Sequence, residues 1–359
     1  MDKGILLSGN SSVSSMPELL NTNQMKAVAI LSLMTSCLSF IGSGSVFTCA
    51  IYHGRVCYPE IFPTFHLALA DMLASLFLVT SSAIFLNNLG SGMINFPGSS
   101  GPCGYLMTLV TSAYTAAFLL TITYAMEALF RFRQRLKDGT NLDLLAVKAV
   151  SNKWMYLAYI LAWVVPVCSA IGVMIVTHNL RDTDDFDIPV HILSAQCSSC
   201  FANFRFSEEY CWNQVEDGET WHKFIKLIFV VPLLLVVILN MMFYILITKV
   251  FKLVAMRRGL LSYHQRQEET LLKKKAMLYQ GVFFVCWLPS VILGIVSFID
   301  SYTMKTFFWL LIIQAILGPL QGLLNSIVYG WKRDGFRRAL SETSSLLSTN
   351  RATAMSVTL

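Results

Sequence analysis

Charge is what this chain has least of: only 13% of its 359 residues are Asp, Glu, Lys or Arg, and histidine occurs six times. A water-soluble domain needs a charged skin, so most of this chain is not built to face water. The shortage also removes chemistry. There is no HExxH pair, no cluster of histidines and no Gly-x-Ser-x-Gly elbow, and only His66 lies in the interior of an apolar run. A zinc or serine hydrolase is therefore not expected, no cofactor is called for, and the chain reads as a non-enzyme. No nucleic-acid partner is expected either.

Apolar length is abundant. Hydrophobic residues make up 55% of the chain and the mean hydropathy is +0.58. They fall into seven runs, about 26–52, 61–87, 103–130, 154–177, 222–248, 276–299 and 306–330. Each is near the ~20 residues a helix needs to cross ~30 Å of hydrocarbon. Lipid offers the backbone no hydrogen-bond partner, so a span is a helix or part of a closed barrel. Runs such as 227–239 lack the strict polar–apolar alternation of a barrel strand. The expected fold is an all-α membrane protein, a seven-helix bundle.

Loop charge orients it. The segments after spans one, three, five and seven hold 20 of the 27 Lys and Arg, and the other side holds seven. Positive charge stays in the cytoplasm, so the C-terminus is expected inside and the N-terminus outside. The chain is expected to divide into an extracellular N-terminus (1–25), a membrane domain (26–330), a short amphipathic eighth helix (331–342) and a disordered cytoplasmic tail (343–359). Phe336 and Leu340 of that helix share a face that dips toward lipid, and its arginines meet anionic headgroups, so membrane lipids are partners. The third inner loop, about 250–275, is short and basic and ends in Lys273-Lys274-Lys275. No cleavable leader is evident. Asn10-Ser11-Ser12 is a glycosylation sequon on the expected outer side.

Nine cysteines are present. Cys37, Cys49, Cys168 and Cys286 fall inside spans, where cysteine behaves as a small apolar residue. Cys57 is on the expected cytoplasmic side. Cys103, Cys197, Cys200 and Cys211 lie on the outer side, where oxidation is permitted, and spacing alone leaves three pairings open.

Several polar or kink-forming residues inside the spans exceed what hydrophobicity requires. Span two reads Leu67-Ala68-Leu69-Ala70-Asp71-Met72-Leu73, and a carboxylate at that depth is expensive unless it faces polar partners in the bundle. Span one carries Gly42-Ser43-Gly44-Ser45-Val46, span five Phe229 and Pro232, and span six Cys286-Trp287-Leu288-Pro289. Span seven carries Leu320-Gln321-Gly322 and then Asn325-Ser326-Ile327-Val328-Tyr329. Asn325 and Tyr329, four apart, share a helical face. Pro232 and Pro289 each free a carbonyl and permit a kink.

Together these motifs resemble the G-protein-coupled receptor superfamily, in a mixture of rhodopsin-type and cyclic-AMP- or secretin-type patterns. Asp71 matches the family's "LAxADLL", Trp287 and Pro289 its "CWxP", and Asn325 and Tyr329 its "NPxxY" with Ser326 for proline. Leu320-Gln321-Gly322 is similar to the "LQGxxN" of cyclic-AMP-type receptors. The resemblance implies a polar switch network of Ser43, Asp71, Asn325 and Tyr329, and a hinge of Trp287, Pro289 and Pro232. It makes Asp71 a candidate sodium ligand and the only metal site in view. It pairs Cys103 with Cys211, whose Cys211-Trp212 is similar to the "CW" of secretin-type loops.

At the inner end of span three the family's "DRY" becomes Glu127-Ala128-Leu129, so the acid stays and the arginine is lost. Arg131, one turn on, is placed to pair with Glu127. The resemblance implies a plasma-membrane receptor for an extracellular ligand that the sequence does not name, with heterotrimeric G protein and arrestin as partners. Val110 stands where amine receptors carry an aspartate, which disfavours an amine. A receptor-like scaffold that no longer activates G protein is the rival reading, motivated by Ala128. A small transporter ranks below both, because Asp71 is the sole deep charge and no inverted repeat is evident.

Overall fold

A computed structural model describes residues 20–52, 61–90, 102–137, 144–182, 218–257, 263–298 and 306–330. Among them there is no strand. The helices are α1 (Thr22–Tyr52), α2 (Phe62–Gly90), α3 (Pro102–Lys137), α4 (Leu144–Asp182), α5 (Gly218–Arg257), α6 (Tyr263–Val296) and α7 (Phe308–Leu317). A further helix, α8 (Gln321–Gly330), follows α7 after a break and a bend of 43°. Among the described residues six helices are long and apolar enough to cross a membrane, and the bent pair α7–α8 makes a seventh crossing when taken as one span. The protein is a multi-pass, all-helical membrane protein. Asn10 and the expected eighth helix at 331–342 lie outside the described residues, as do Cys57, Cys197, Cys200 and Cys211.

The side chains are distributed for lipid. Large apolar groups point outward, such as Ile41, Ile160, Ile238 and Ile327, each more than half exposed. Small and polar groups point inward: Ser32, Ser36, Ser39 and Ser43 of α1 are all buried. An apolar surface of this extent would associate in water, whereas in lipid it is the solvated face. Small inward residues let backbones approach closely where no hydrophobic effect drives them together. Two of these hydroxyls are satisfied inside the helix, Ser36 Oγ donating to Ser32 O (2.6 Å) and Ser43 Oγ to Ser39 O (2.7 Å), while Ser32 Oγ and Ser39 Oγ are buried without a direct hydrogen bond.

Packing centres on α3, which touches α2, α4, α5 and α6. Helix α1 lies against α2 and α7, and α6 against α5 and α7. Consecutive spans alternate in direction, so the ends of α1, α3, α5 and α8 meet the starts of α2, α4 and α6. We call this the basic end, after Arg131, Arg133, Lys249, Lys252 and Lys273–Lys275. There Tyr124, Ala128, Ile247, Val250, Ala276, Tyr279 and Val328 pack into one apolar cluster. At the opposite end Val28, Phe85, Val230, Leu293 and Leu311 form a second cluster.

The break in the seventh span has a local cause. Pro319 has no N–H to give the carbonyl of Ala315, and its ring disfavours a continuous helix through that turn. Gly318 N–H still closes on Gln314 O at 3.0 Å, and the chain re-enters a helix at Gln321. Thr35 Oγ1 of α1 lies 3.1 Å from the Ala315 carbonyl that the proline leaves unserved.

Candidate functional site

Three helices deliver the polar centre. Asp71 projects from the middle of α2, Trp287 from α6 close to Pro289, and Gln321 and Asn325 from successive turns of α8. All four are buried, at 2%, 6%, 2% and 7% exposure respectively. Asn325 Nδ2 donates to Asp71 Oδ2 at 2.7 Å and Gln321 Nε2 donates to Asp71 Oδ1 at 2.9 Å. Trp287 Nε1 donates to Gln321 Oε1. The result is an unbroken relay from α6 through α8 to α2.

The indole fixes the sense of this relay. Trp287 N–H can only donate, so the carbonyl oxygen of Gln321 must face it. The amide nitrogen of Gln321 is then committed to Asp71. A sodium ion needs oxygen ligands around the carboxylate. Here Asp71 receives N–H groups on both oxygens, so the donor set as arranged does not fit that ion. Among the described residues no group of three or more His, Cys, Asp or Glu gathers to hold a metal.

Two glycines make room for this centre. A Cβ on Gly322 would lie 2.5 Å from Ser39 Oγ and 3.0 Å from Asp71 Cβ, and one on Gly42 would lie 2.9 Å from the Cα of Leu323. Helices α1, α2 and α8 therefore meet nearly backbone to backbone beside the carboxylate. Below Asn325 a cavity of about 10 Å³ is lined by Ser43, Thr64, Tyr279, Gly322 and Asn325. Thr64 Oγ1 and Tyr279 OH are buried there and interact with each other, without a hydrogen bond of full geometry to any group. The space is near the lower limit for a single water, which is the usual way such groups are satisfied.

The structure brings some of the expected network together and places the rest beside it. Asp71 and Asn325 meet. Ser43 lines the adjoining cavity, and its hydroxyl bonds to its own helix. Tyr329 lies one turn below Asn325 with its ring 5.5 Å from Lys275 Nζ. Trp287 is clamped edge-on by Tyr114 (5.0 Å) and Phe118 (4.5 Å) of α3. Pro289 and Pro232 lie inside α6 and α5. The side chain of Cys103 and all of Cys211 fall outside the described residues, so their pairing does too.

Glu127 and Arg131 form the expected ion pair, and it is more than a surface pair. Glu127 Oε2 also accepts from Tyr159 OH of α4 at 2.6 Å. Ala128, beside it, is buried in the basic-end cluster. Tyr159 lies tilted against the ring of His66 of α2, centroids 5.6 Å apart, and Trp163 Nε1 donates to His66 Nδ1 at 3.2 Å. Sequence reasoning missed this lattice joining α2, α3 and α4, and it missed Gln321 as the relay. The signal for Gln321 was a carboxamide one helical turn before Asn325.

A family model described as Transmembrane protein 116 matches residues 25–354. Cyclic AMP receptor-like protein C of Dictyostelium discoideum is 24% identical over 275 residues, which cover 74% of this chain and 62% of that protein. The chain thus spans less than two thirds of that relative's length.

Proposed function

The chain belongs to the Transmembrane protein 116 family, and from that premise we propose that it is a seven-span receptor of the G-protein-coupled type. In this reading a ligand at the outer end repacks α6 against α3 and α8, and the basic end opens toward a cytosolic transducer. The observation that carries it is the hydrogen-bond relay Trp287–Gln321–Asp71–Asn325. A bulky side chain close to a proline is wired by direct hydrogen bonds to a buried carboxylate on another helix. Movement of α6 at Trp287 cannot occur without breaking or carrying the Gln321 bond, so the two packings differ at Asp71. The similarity to a cyclic AMP receptor-like protein supports the same reading.

The excess of Lys and Arg at one end of the bundle supports a cytosolic C-terminus and an outside N-terminus, and residence in the plasma membrane follows only from the receptor reading. The protein is read as a transducer and not an enzyme, with heterotrimeric G protein and arrestin as inner-face partners. Ala128 favours a second reading, a receptor-like scaffold that has given up G-protein activation. A panel assay of G-protein dissociation and arrestin recruitment, on surface-expressed protein, separates them. The receptor reading expects basal or ligand-driven activity that changes in Asp71→Ala and Asn325→Ala at equal surface expression. Silence of the wild-type chain on every G protein, with activity appearing in Ala128→Arg, would favour the scaffold.

A further inference from the structure

Four lysines gather at the basic end on two adjoining helices, and among the described residues no acidic side chain forms an ion pair with them. Lys249 and Lys252 lie three apart on α5, so they share a face, and both are exposed. Lys274 at the start of the α6 span is exposed and Lys273 is half-buried. The two helices are tied at this level, because Lys273 Nζ sits 4.2 Å from the ring centroid of Phe251 on α5. Phe251 is the residue before Lys252, so that contact brings the α6 ammonium groups beside the α5 pair. The neighbouring Lys275 is different: it is buried and its ammonium faces the Tyr329 ring, so it stays with the bundle interior.

Depth matters as much as number. The apolar run of α5 read from the sequence ends at about 248 and that of α6 begins at about 276, so Lys249, Lys252, Lys273 and Lys274 fall just beyond them. All four ammonium groups therefore sit where hydrocarbon gives way to headgroups. Within 249–275 there are eight Lys and Arg against two acids, Glu268 and Glu269, so this one segment carries a formal charge as large as the chain's net +6. An anion held here would have several donors from two helices and an apolar wall for acyl chains, formed by exposed Ile245 and Leu253 of α5. A free phosphate would use the charges and leave that wall idle.

We propose that the basic ends of α5 and α6 form a binding site for the headgroup of a polyphosphorylated inositol lipid, held by Lys249, Lys252, Lys273 and Lys274. Phosphomonoesters suit this geometry because each carries more than one charge and several acceptor oxygens for multiple ammonium donors. A lipid there spans the α5–α6 junction, so its occupancy would bias how those helices separate. The site stands independently of the receptor reading, since lipid binding is measured without any signalling partner.

The test is native mass spectrometry of the full-length chain in detergent, titrated with phosphatidylinositol 4,5-bisphosphate, phosphatidylserine or soluble inositol 1,4,5-trisphosphate. The expected result is binding of the bisphosphate lipid at least tenfold tighter than phosphatidylserine. It should fall at least tenfold when all four lysines become Gln and return when they become Arg. Arg133→Gln, at an exposed cation on α3, should leave it unchanged. Circular dichroism and thermal melting of each variant establish that it is folded. Equal binding of phosphatidylserine, equal loss in Arg133→Gln, or retention in the fourfold Gln variant would each overturn the site. Inositol trisphosphate binding as tightly as the lipid would overturn the lipid as its occupant.

Discussion

Trp287 Nε1 of α6 donates its hydrogen to Gln321 Oε1 of α8, and the same carboxamide donates onward to Asp71. One side chain therefore satisfies a buried donor and a buried acceptor on two other helices. Gln321→Leu keeps the volume and removes both bonds. It should lower stability by about 1–3 kcal/mol, the range for leaving buried polar groups unmade. Thermal unfolding of purified protein in detergent reads this directly. Gln321→Glu should be worse than Leu, because it sets a second carboxylate against Asp71. A melting temperature unchanged in both variants would show that the relay holds nothing together.

Gly322 leaves α8 no room for a Cβ against α1 and α2. Its missing Cβ would meet Asp71 Cβ, which cannot rotate away, as well as Ser39 Oγ, which can. Gly322→Ala should therefore push α8 outward and cost about 1–3 kcal/mol, as overpacking of a fitted core does. A Cβ added at Gly172 of α4 or Gly281 of α6 would meet nothing within 4 Å. Alanine at either should be neutral or stabilise by about 0.5–1 kcal/mol through helix propensity. A parallel melt of the three variants checks the contrast.

Tyr159 ties α4 to α3 through Glu127, whose other oxygen holds Arg131. Tyr159→Phe should cost about 0.6–2 kcal/mol, the measured span for hydrogen bonds between helices in lipid. Arg131→Gln should cost less than that alone, being a partly exposed i,i+4 pair. A double-mutant cycle on melting should show coupling between positions 159 and 131, since both meet the same carboxylate. Strict additivity would mean that the two contacts are independent.

The spans were legible because a transmembrane helix is announced by length and hydropathy alone, and the burial cost of Asp71 announced a polar centre without any structure. Asn325 was legible by its place on the same face of the last span. Gln321 shares that face one turn earlier, but a glutamine in an apolar run gives no sign of which helices it will join, so its part in the relay was hidden. The Glu127–Arg131 pair could be read from its spacing of four. Its third member, Tyr159, is 32 residues away on another helix, and only packing brings it there. His66 and Trp163 were hidden for the same reason. Sequence periodicity reports which face of a helix a residue occupies and is silent on its neighbour.

Span seven shows the limit of reading length alone. It counts as a single apolar run, yet Gly318-Pro319 breaks it and turns α8 by 43° from α7. The bend aims Gln321 and Asn325 at Asp71 together. Pro319→Ala would supply an N–H for Ala315 O, favour a continuous helix and so rotate α8 away from α2. Spin labels on exposed Trp309 and Ile327, one on each side of the break, should lengthen their separation in Pro319→Ala, because a straighter rod holds its ends farther apart. Thr35→Val should leave that distance unchanged. It removes only the α1 hydroxyl near the carbonyl, costing about 0.6–2 kcal/mol in a melt. If Pro319→Ala leaves the label distance untouched, the proline is not what bends the span, and the placement of Gln321 must come from the Gly322 contact alone.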